Sequence, residues 1–231
     1  MTTRRRFTAD FNTNYPNVNT RKLRLTMMKL NLGCGNQKPQ GWINVDYALG
    51  AKLAKLPLFS SINRKLGFFN INWDKEIFLH DLTTKFPWKD GQADYVYSSH
   101  TLEHLTREEG LFFLKECHRI LREGGVIRIV VPDLRVIVEN YLNGSIRAVD
   151  FIEKLGVLCG RQNSGLKRRL APFIQFPHKC MYDSETLLAV MCEIGFKCEK
   201  KKAFSSRIKD INRVELESRT QNAVIVEGEK P

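Results

Sequence analysis

The run Lys29-Leu30-Asn31-Leu32 breaks into Gly33-Cys34-Gly35, and a second run, Trp42-Ile43-Asn44-Val45, ends in Asp46. An apolar strand that opens into Gly-x-Gly lets backbone N–H groups approach a nucleotide-like ligand, and a carboxylate closing the next strand accepts both hydroxyls of a ribose. The pairing reads as a cofactor cradle. The third glycine of the dinucleotide fingerprint is absent, so the pattern takes its meaning from the motifs downstream of Asp46.

From Met28 onward short apolar runs alternate with longer helical patterns, which is the signature of a parallel sheet covered on both faces. Strands are expected near 28–33, 42–46, 77–80, 93–98 and 125–131. Between Arg107 and Leu121 the residues Leu111, Leu114, Cys117, His118 and Leu121 recur at helical spacing. Glu123-Gly124-Gly125 then reads as the helix stop before the strand Val126–Val131. A second helix begins at the polar cap Asp183-Ser184-Glu185, carries Leu187, Leu188, Val190, Met191 and Ile194 inward, and ends at Gly195. Phe196–Phe204 and Asn222–Val226 read as two closing strands. Segments 47–76 and 133–180 interrupt the alternation and are expected to shape the substrate side.

At 231 residues and 42% hydrophobic composition the chain suits one domain, placed over 27–231. Residues 1–26, Asn/Thr-rich and carrying Arg4-Arg5-Arg6 and Arg21-Lys22-Leu23-Arg24, read as a flexible basic extension. No run approaches the roughly 20 apolar residues of a membrane span, no apolar signal core opens the chain, and a cytoplasmic location is expected. Six cysteines without a C-x-x-C pair are expected to be free thiols. Cys180, Cys192 and Cys198 with His178 fit no familiar finger spacing, so no metal is expected there. The formal charge of +12 points to anionic partners without choosing among nucleic acid, phosphorylated small molecules and acidic lipid.

The ordered series Asn31-Leu32-Gly33-Cys34-Gly35, Asp46, His80-Asp81-Leu82, Ala93-Asp94-Tyr95-Val96-Tyr97-Ser98-Ser99-His100, Leu102-Glu103-His104-Leu105 and Leu121-Arg122-Glu123-Gly124-Gly125 resembles the motifs of class I S-adenosylmethionine-dependent methyltransferases. The resemblance covers about residues 28–227. It implies a Rossmann-like, doubly wound α/β sheet of seven strands, mostly parallel with one antiparallel strand in the last hairpin. The Glu-His-Leu and Leu-Arg-Glu-Gly-Gly pieces resemble the small-molecule branch. The span from Gly35 to Asp46, further restricted by Pro39, is too short for the helix usual between the first two strands. That shortening resembles a subgroup tied to cell-surface sugar pathways.

The resemblance implies S-adenosylmethionine as cofactor and S-adenosylhomocysteine as product. Asn31, Leu32, Gly33, Cys34 and Gly35 would surround the methionine part, whose carboxylate suits loop N–H groups. Asp46 would take the ribose hydroxyls. Asp81 would accept from the adenine amino group, with Leu82 on the ring. Ser98, Ser99 and His100 would lie beside the methionine and the transferring methyl group, whereas Asp94 reads as a strand-start residue.

Methyl transfer from a sulfonium is an in-line displacement with an activated leaving group, so alignment and water exclusion dominate. A hydroxyl acceptor also calls for a base, and His178, His100 and Asp133 are the candidates. Glu103 and His104 either begin the following helix or take a direct site role. Arg161 and Lys167-Arg168-Arg169, with Phe173 and Phe176, form either an anion grip or a solvated face, and Lys52–Phe59 reads as a lid or packing segment. The expected activity is transfer of methyl to O or N of a small-molecule or glycan-type acceptor. The rivals are nucleic-acid methylation, which lacks an Asn-Pro-Pro-Tyr-type motif here, and a non-catalytic cofactor-binding module.

Overall fold

A computed structural model describes residues 27–56, 74–157 and 176–231. The basic extension, Pro57–Phe59 of the Lys52–Phe59 segment, and Arg161, Lys167, Arg168, Arg169 and Phe173 lie outside the described residues. Seven strands form one sheet: β1 (Lys29–Leu32), β2 (Ile43–Asp46), β3 (Phe78–Leu79), β4 (Ala93–Ser99), β5 (Leu121–Pro132), β6 (Lys197–Lys200) and β7 (Ala223–Glu229). Their order is β3-β2-β1-β4-β5-β7-β6, and only β7 runs antiparallel to its neighbours. The expected doubly wound topology is thus the observed one.

Period-two alternation sorts the side chains between two buried faces. Leu30, Leu32, Val96, Ile127 and Ile129 face one core, shared with Phe113, Leu114 and Cys117 of α2 (Arg107–Ile120) and with Leu187 and Met191 of α5 (Ser184–Ile194). Tyr95, Tyr97, Val126 and Val130 face the other, closed by Ile208, Ile211 and Val214. Both faces are covered, so central strands read as nearly continuous apolar runs.

Both major helices start where the residue chemistry directs. Thr106 accepts from the Glu109 N–H at 3.2 Å while the Glu109 carboxylate accepts from the Thr106 N–H at 2.8 Å, a reciprocal capping box that the sequence reading passes over. Asp183 caps α5 through the Thr186 N–H at 2.8 Å, and Gly195 ends it at φ +112°. The stop of α2 is a correction. Leu121 is already extended, and Leu121–Gly125 enter β5 through a register shift opposite Ala93–Tyr95. The Lys230 ammonium donates to the carbonyls of His118 at 2.9 Å and Leu121 at 2.8 Å, so a cation satisfies the helix end that a glycine motif was expected to satisfy.

No helix separates β1 from β2, as the short spacing requires. The described parts of the two interruptions are partly helical, with α1 (Leu49–Ala54), α3 (Leu134–Leu142) and α4 (Ala148–Lys154). A last short helix, α6 (Glu217–Thr220), precedes β7. β6 is shorter than the expected 196–204 and β7 longer than 222–226, because the segment after Lys200 leaves the sheet to cover its second face. Among the described residues no helix is long and apolar enough to cross a membrane.

Candidate active site

The glycine turn and Asp46 meet at the carboxyl ends of β1 and β2. Gly33 N–H and Cys34 N–H both donate to the Val45 carbonyl, at 2.9 and 3.0 Å, which folds the turn over the end of β2. Gly35 N–H then donates to one Asp46 carboxylate oxygen at 2.8 Å, and Ala48 N–H to the other at 2.8 Å. Each oxygen keeps lone-pair capacity for a further donor. Burial pushes the Asp46 carboxyl above its ordinary range, against the pull of the Ala48, Gly35 and Tyr47 amides and the Arg219 guanidinium.

Gly33 and Gly35 both hold left-handed backbones, at φ +74° and +59°, for different reasons. A Cβ on Gly33 would stand 2.0 Å from Thr101 Oγ1, so its own neighbour requires the glycine. A Cβ on Gly35 would meet only Arg219 Nη2, at 3.7 Å. Burial, and next the Asp46 charge, push the Cys34 thiol up to about 12, which removes it as a nucleophile.

Arg219 on α6 is a site residue that the sequence reading misses. Its Nη1 donates to the Ser99 carbonyl at 3.3 Å and its own carbonyl lies 2.9 Å from His100 Nε2, so it spans the ends of β1 and β4. A lone arginine in a short polar segment far from the motifs carries no local signal.

Several nominated side chains are spent inside the fold. Asn31 donates to the Asn44 side chain at 3.1 Å as a rung between β1 and β2, and Leu32 is core. Ser98 donates to the Leu32 carbonyl at 2.9 Å and is buried. Ser99 is buried with its hydroxyl unpartnered. Asp81, which follows β3 beside β2, accepts from the Thr83 N–H at 3.0 Å and the Thr83 hydroxyl at 2.7 Å, and Leu82 packs into the main core. Asp133 caps α3 through the Arg135 N–H at 2.9 Å, so its carboxylate serves a helix end.

His100 leaves β4 at φ +52°, a left-handed backbone that turns the chain away from the sheet and that few non-glycine residues adopt. Its Nδ1 is 3.3 Å from Glu103 Oε1. Burial works against its positive charge, but the Glu103 carboxylate and the Arg219 carbonyl prevail and raise its pKa. Glu103 sits on a one-turn helix, Leu102–His104, is wholly buried, and has no hydrogen-bond partner on either carboxylate oxygen. His178 Nε2 is 4.0 Å from Glu103 Oε1, and its ring lies 4.9 Å from that of His104. The Lys179 and Cys180 N–H groups donate to the Glu103 carbonyl at 2.8 and 3.1 Å, which pins His178 against it. The fold therefore joins His100, Glu103, His104 and His178 into one cluster and leaves Asp133 outside it.

Residues 30–129 match a family described as a methyltransferase domain, a span that includes the glycine turn, Asp46, Asp81 and the His100–His104 segment. No curated protein matches the chain. Among solved structures, an S-adenosylmethionine-dependent methyltransferase from Methanosarcina mazei is 16% identical at TM-score 0.50, covering 94% of this chain and 97% of its own. Another from Archaeoglobus fulgidus is 16% identical at TM-score 0.46, covering 91% and 90%, and the YcgJ protein from Bacillus subtilis is 11% identical at TM-score 0.48, covering 89% and 92%. Residues 30–129 thus match a methyltransferase domain family, and the described chain has the seven-stranded fold of an S-adenosylmethionine-dependent methyltransferase.

Proposed function

We propose that this chain is an S-adenosylmethionine-dependent methyltransferase that acts on O or N of a small-molecule or glycan-type acceptor. The observation that carries the reading is the 2.8 Å bond from Gly35 N–H to Asp46, which brings the glycine turn and the acid to one rim of the sheet. The residues present fit the cofactor: Gly35 is open on its Cα, Asp46 retains acceptor capacity for ribose hydroxyls, and the Arg219 guanidinium beside them suits a carboxylate. When bound, S-adenosylmethionine supplies a methyl group already activated on a sulfonium.

The chain's own work is then to bind and orient. Arg219 holds the methionine end, Asp46 the ribose, and Asp81 with Leu82 the adenine. Ser98 and Ser99 end the strand that positions His100 beside the methionine. His100 Nε2 bonds the Arg219 carbonyl at 2.9 Å and its Nδ1 faces the Glu103 carboxylate at 3.3 Å, so the ring acts as a positioning residue. His178 faces the Leu155 carbonyl with Nδ1 at 2.8 Å and keeps an uncommitted Nε2 lone pair, which makes it the basic nitrogen on the acceptor side.

Calorimetry with S-adenosylmethionine and S-adenosylhomocysteine tests the reading. Binding of both by the wild type is expected, with a loss of about 100-fold or more in Asp46→Ala, where two ribose hydrogen bonds to a charged acceptor go at once. No detectable binding by folded wild-type protein overturns it. Screening acceptors with labelled cofactor then identifies what receives the methyl group.

A further inference from the structure

We infer that Glu103, His104 and His178 form a binding site for one divalent transition-metal ion. The inference rests on reading this cluster as the acceptor side of the methyltransferase site. One carboxylate oxygen and two imidazole nitrogens lie within 4.8 Å of one another. Ligand bonds of about 2.0–2.2 Å would draw those atoms to about 3–3.5 Å apart, a closure within reach of side-chain torsions.

The carboxylate supplies the second, independent observation. Glu103 is fully buried and neither of its oxygens has a hydrogen-bond partner. A buried carboxylate that accepts no hydrogen bond is costly, and the imidazoles of His100 at 3.3 Å and His178 at 4.0 Å are the chargeable side chains that reach it among the described residues. His100 Nδ1 approaches Oε1 at 3.3 Å without hydrogen-bond geometry and leaves Oε2 with nothing.

The two imidazoles are oriented as ligands are. His178 Nδ1 lies 2.8 Å from the Leu155 carbonyl and His104 Nδ1 3.4 Å from the Pro177 carbonyl. A ring that donates from Nδ1 to a main-chain carbonyl keeps its Nε2 lone pair for coordination, the outer-shell pattern that orients metal-bound histidines. Gly156 makes room for this arrangement: a Cβ there would stand 2.6 Å from His178 Nδ1. Two nitrogens and one carboxylate favour zinc, cobalt or nickel over magnesium or calcium, which take mainly oxygen ligands.

A cation here would take an acceptor hydroxyl as a further ligand and favour its alkoxide, the proton leaving to solvent water. His178 then serves as a ligand, and coordination replaces the base.

The test uses the untagged full chain after chelator treatment, titrated with Co²⁺ while visible d–d absorption is followed, then with Zn²⁺ in competition. One Co²⁺ per chain, displaced by Zn²⁺ and not by Mg²⁺, is expected. Glu103→Gln and His178→Asn should each weaken Co²⁺ binding by about 100-fold or more, whereas His100→Gln should retain it. Should a variant fail to fold, the wild type still decides the matter, because Zn²⁺ must raise its Tm by mass action. Absence of Co²⁺ and Zn²⁺ binding by folded wild type, or full binding by Glu103→Gln, overturns the site. Calorimetry with S-adenosylhomocysteine on the same samples separates the two readings: cofactor binding without metal binding removes the metal site alone, and metal binding without cofactor binding removes the methyltransferase reading.

Discussion

Arg128 and Glu103 both bury an ionisable side chain fully, yet every donor of the guanidinium is hydrogen-bonded and neither oxygen of the carboxylate is. Arg128 Nε and Nη2 grip the two oxygens of Glu215 at 2.8 and 2.9 Å, Nη1 reaches Glu227 at 2.9 Å, and the remaining donors go to the Lys202 and Ser205 carbonyls at 3.0 Å each. All five guanidinium donors are used, which is the whole capacity of the group. The network ties β5 and β7 to the segment over the second face of the sheet. A buried charge satisfied by the protein itself is architecture; Glu103, whose oxygens accept no hydrogen bond at the strand ends, is the residue on which the proposed metal site rests.

The largest expected effect is that of Arg128→Met. It leaves Glu215 and Glu227 buried without a counter-charge, and a loss of about 3–5 kcal/mol in urea unfolding is expected. A loss under about 1 kcal/mol would break the contrast at its architectural end.

The same contrast divides the glycine turn. Gly33→Ala adds a left-handed alanine and a collision with Thr101, about 2–4 kcal/mol by denaturation. Gly35→Ala adds only the backbone penalty, about 1–2 kcal/mol, and should show mainly as weakened cofactor binding. Equal stability losses would mean that Gly35 is held by protein packing as well.

Glu103→Gln sharpens the functional end. Neither carboxylate oxygen accepts a hydrogen bond, so removing the charge should cost less than about 1 kcal/mol in urea unfolding. A loss near that of Arg128→Met would show that the 3.3 Å contact with His100 holds the fold as the Arg128 network does.

Glu116 gives the smallest effect and the pH test. The Arg119 guanidinium, at 2.7 Å, holds its carboxyl below the ordinary value, with desolvation opposing and the Phe86 N–H assisting. A lowered folded pKa contributes stability above the unfolded value of 4.5, lost as pH falls through the folded one. The Tm advantage of wild type over Glu116→Gln should therefore shrink on acidification from pH about 5 to about 3. A constant difference would remove the pair from the acid response.

Much of the fold is legible because its signals are local. The Asp183 cap, the Gly195 stop and the apolar strands each depend on a few adjacent residues, and so does the missing helix between Gly35 and Asp46. Leu121–Gly125 misleads for the same reason: Lys230, more than a hundred positions away, supplies the helix end that the glycines were expected to supply. Within the site, strand ends can be placed from sequence but side-chain employment cannot. Asn31 and Ser98 sit at the right strand ends, yet their side chains bond across the sheet. Asp133 follows the right strand, yet caps the next helix.

The sequence alone determined the parallel sheet and the glycine-to-acid turn, because backbone conformation and strand period are properties of neighbouring residues, and the ordered motifs supplied the resemblance that implies the cofactor. Only the tertiary structure decided that Arg219 stands over the turn and that His178 meets Glu103 across distant segments. Such pairings depend on where loop closure delivers a side chain, and no local preference encodes that position.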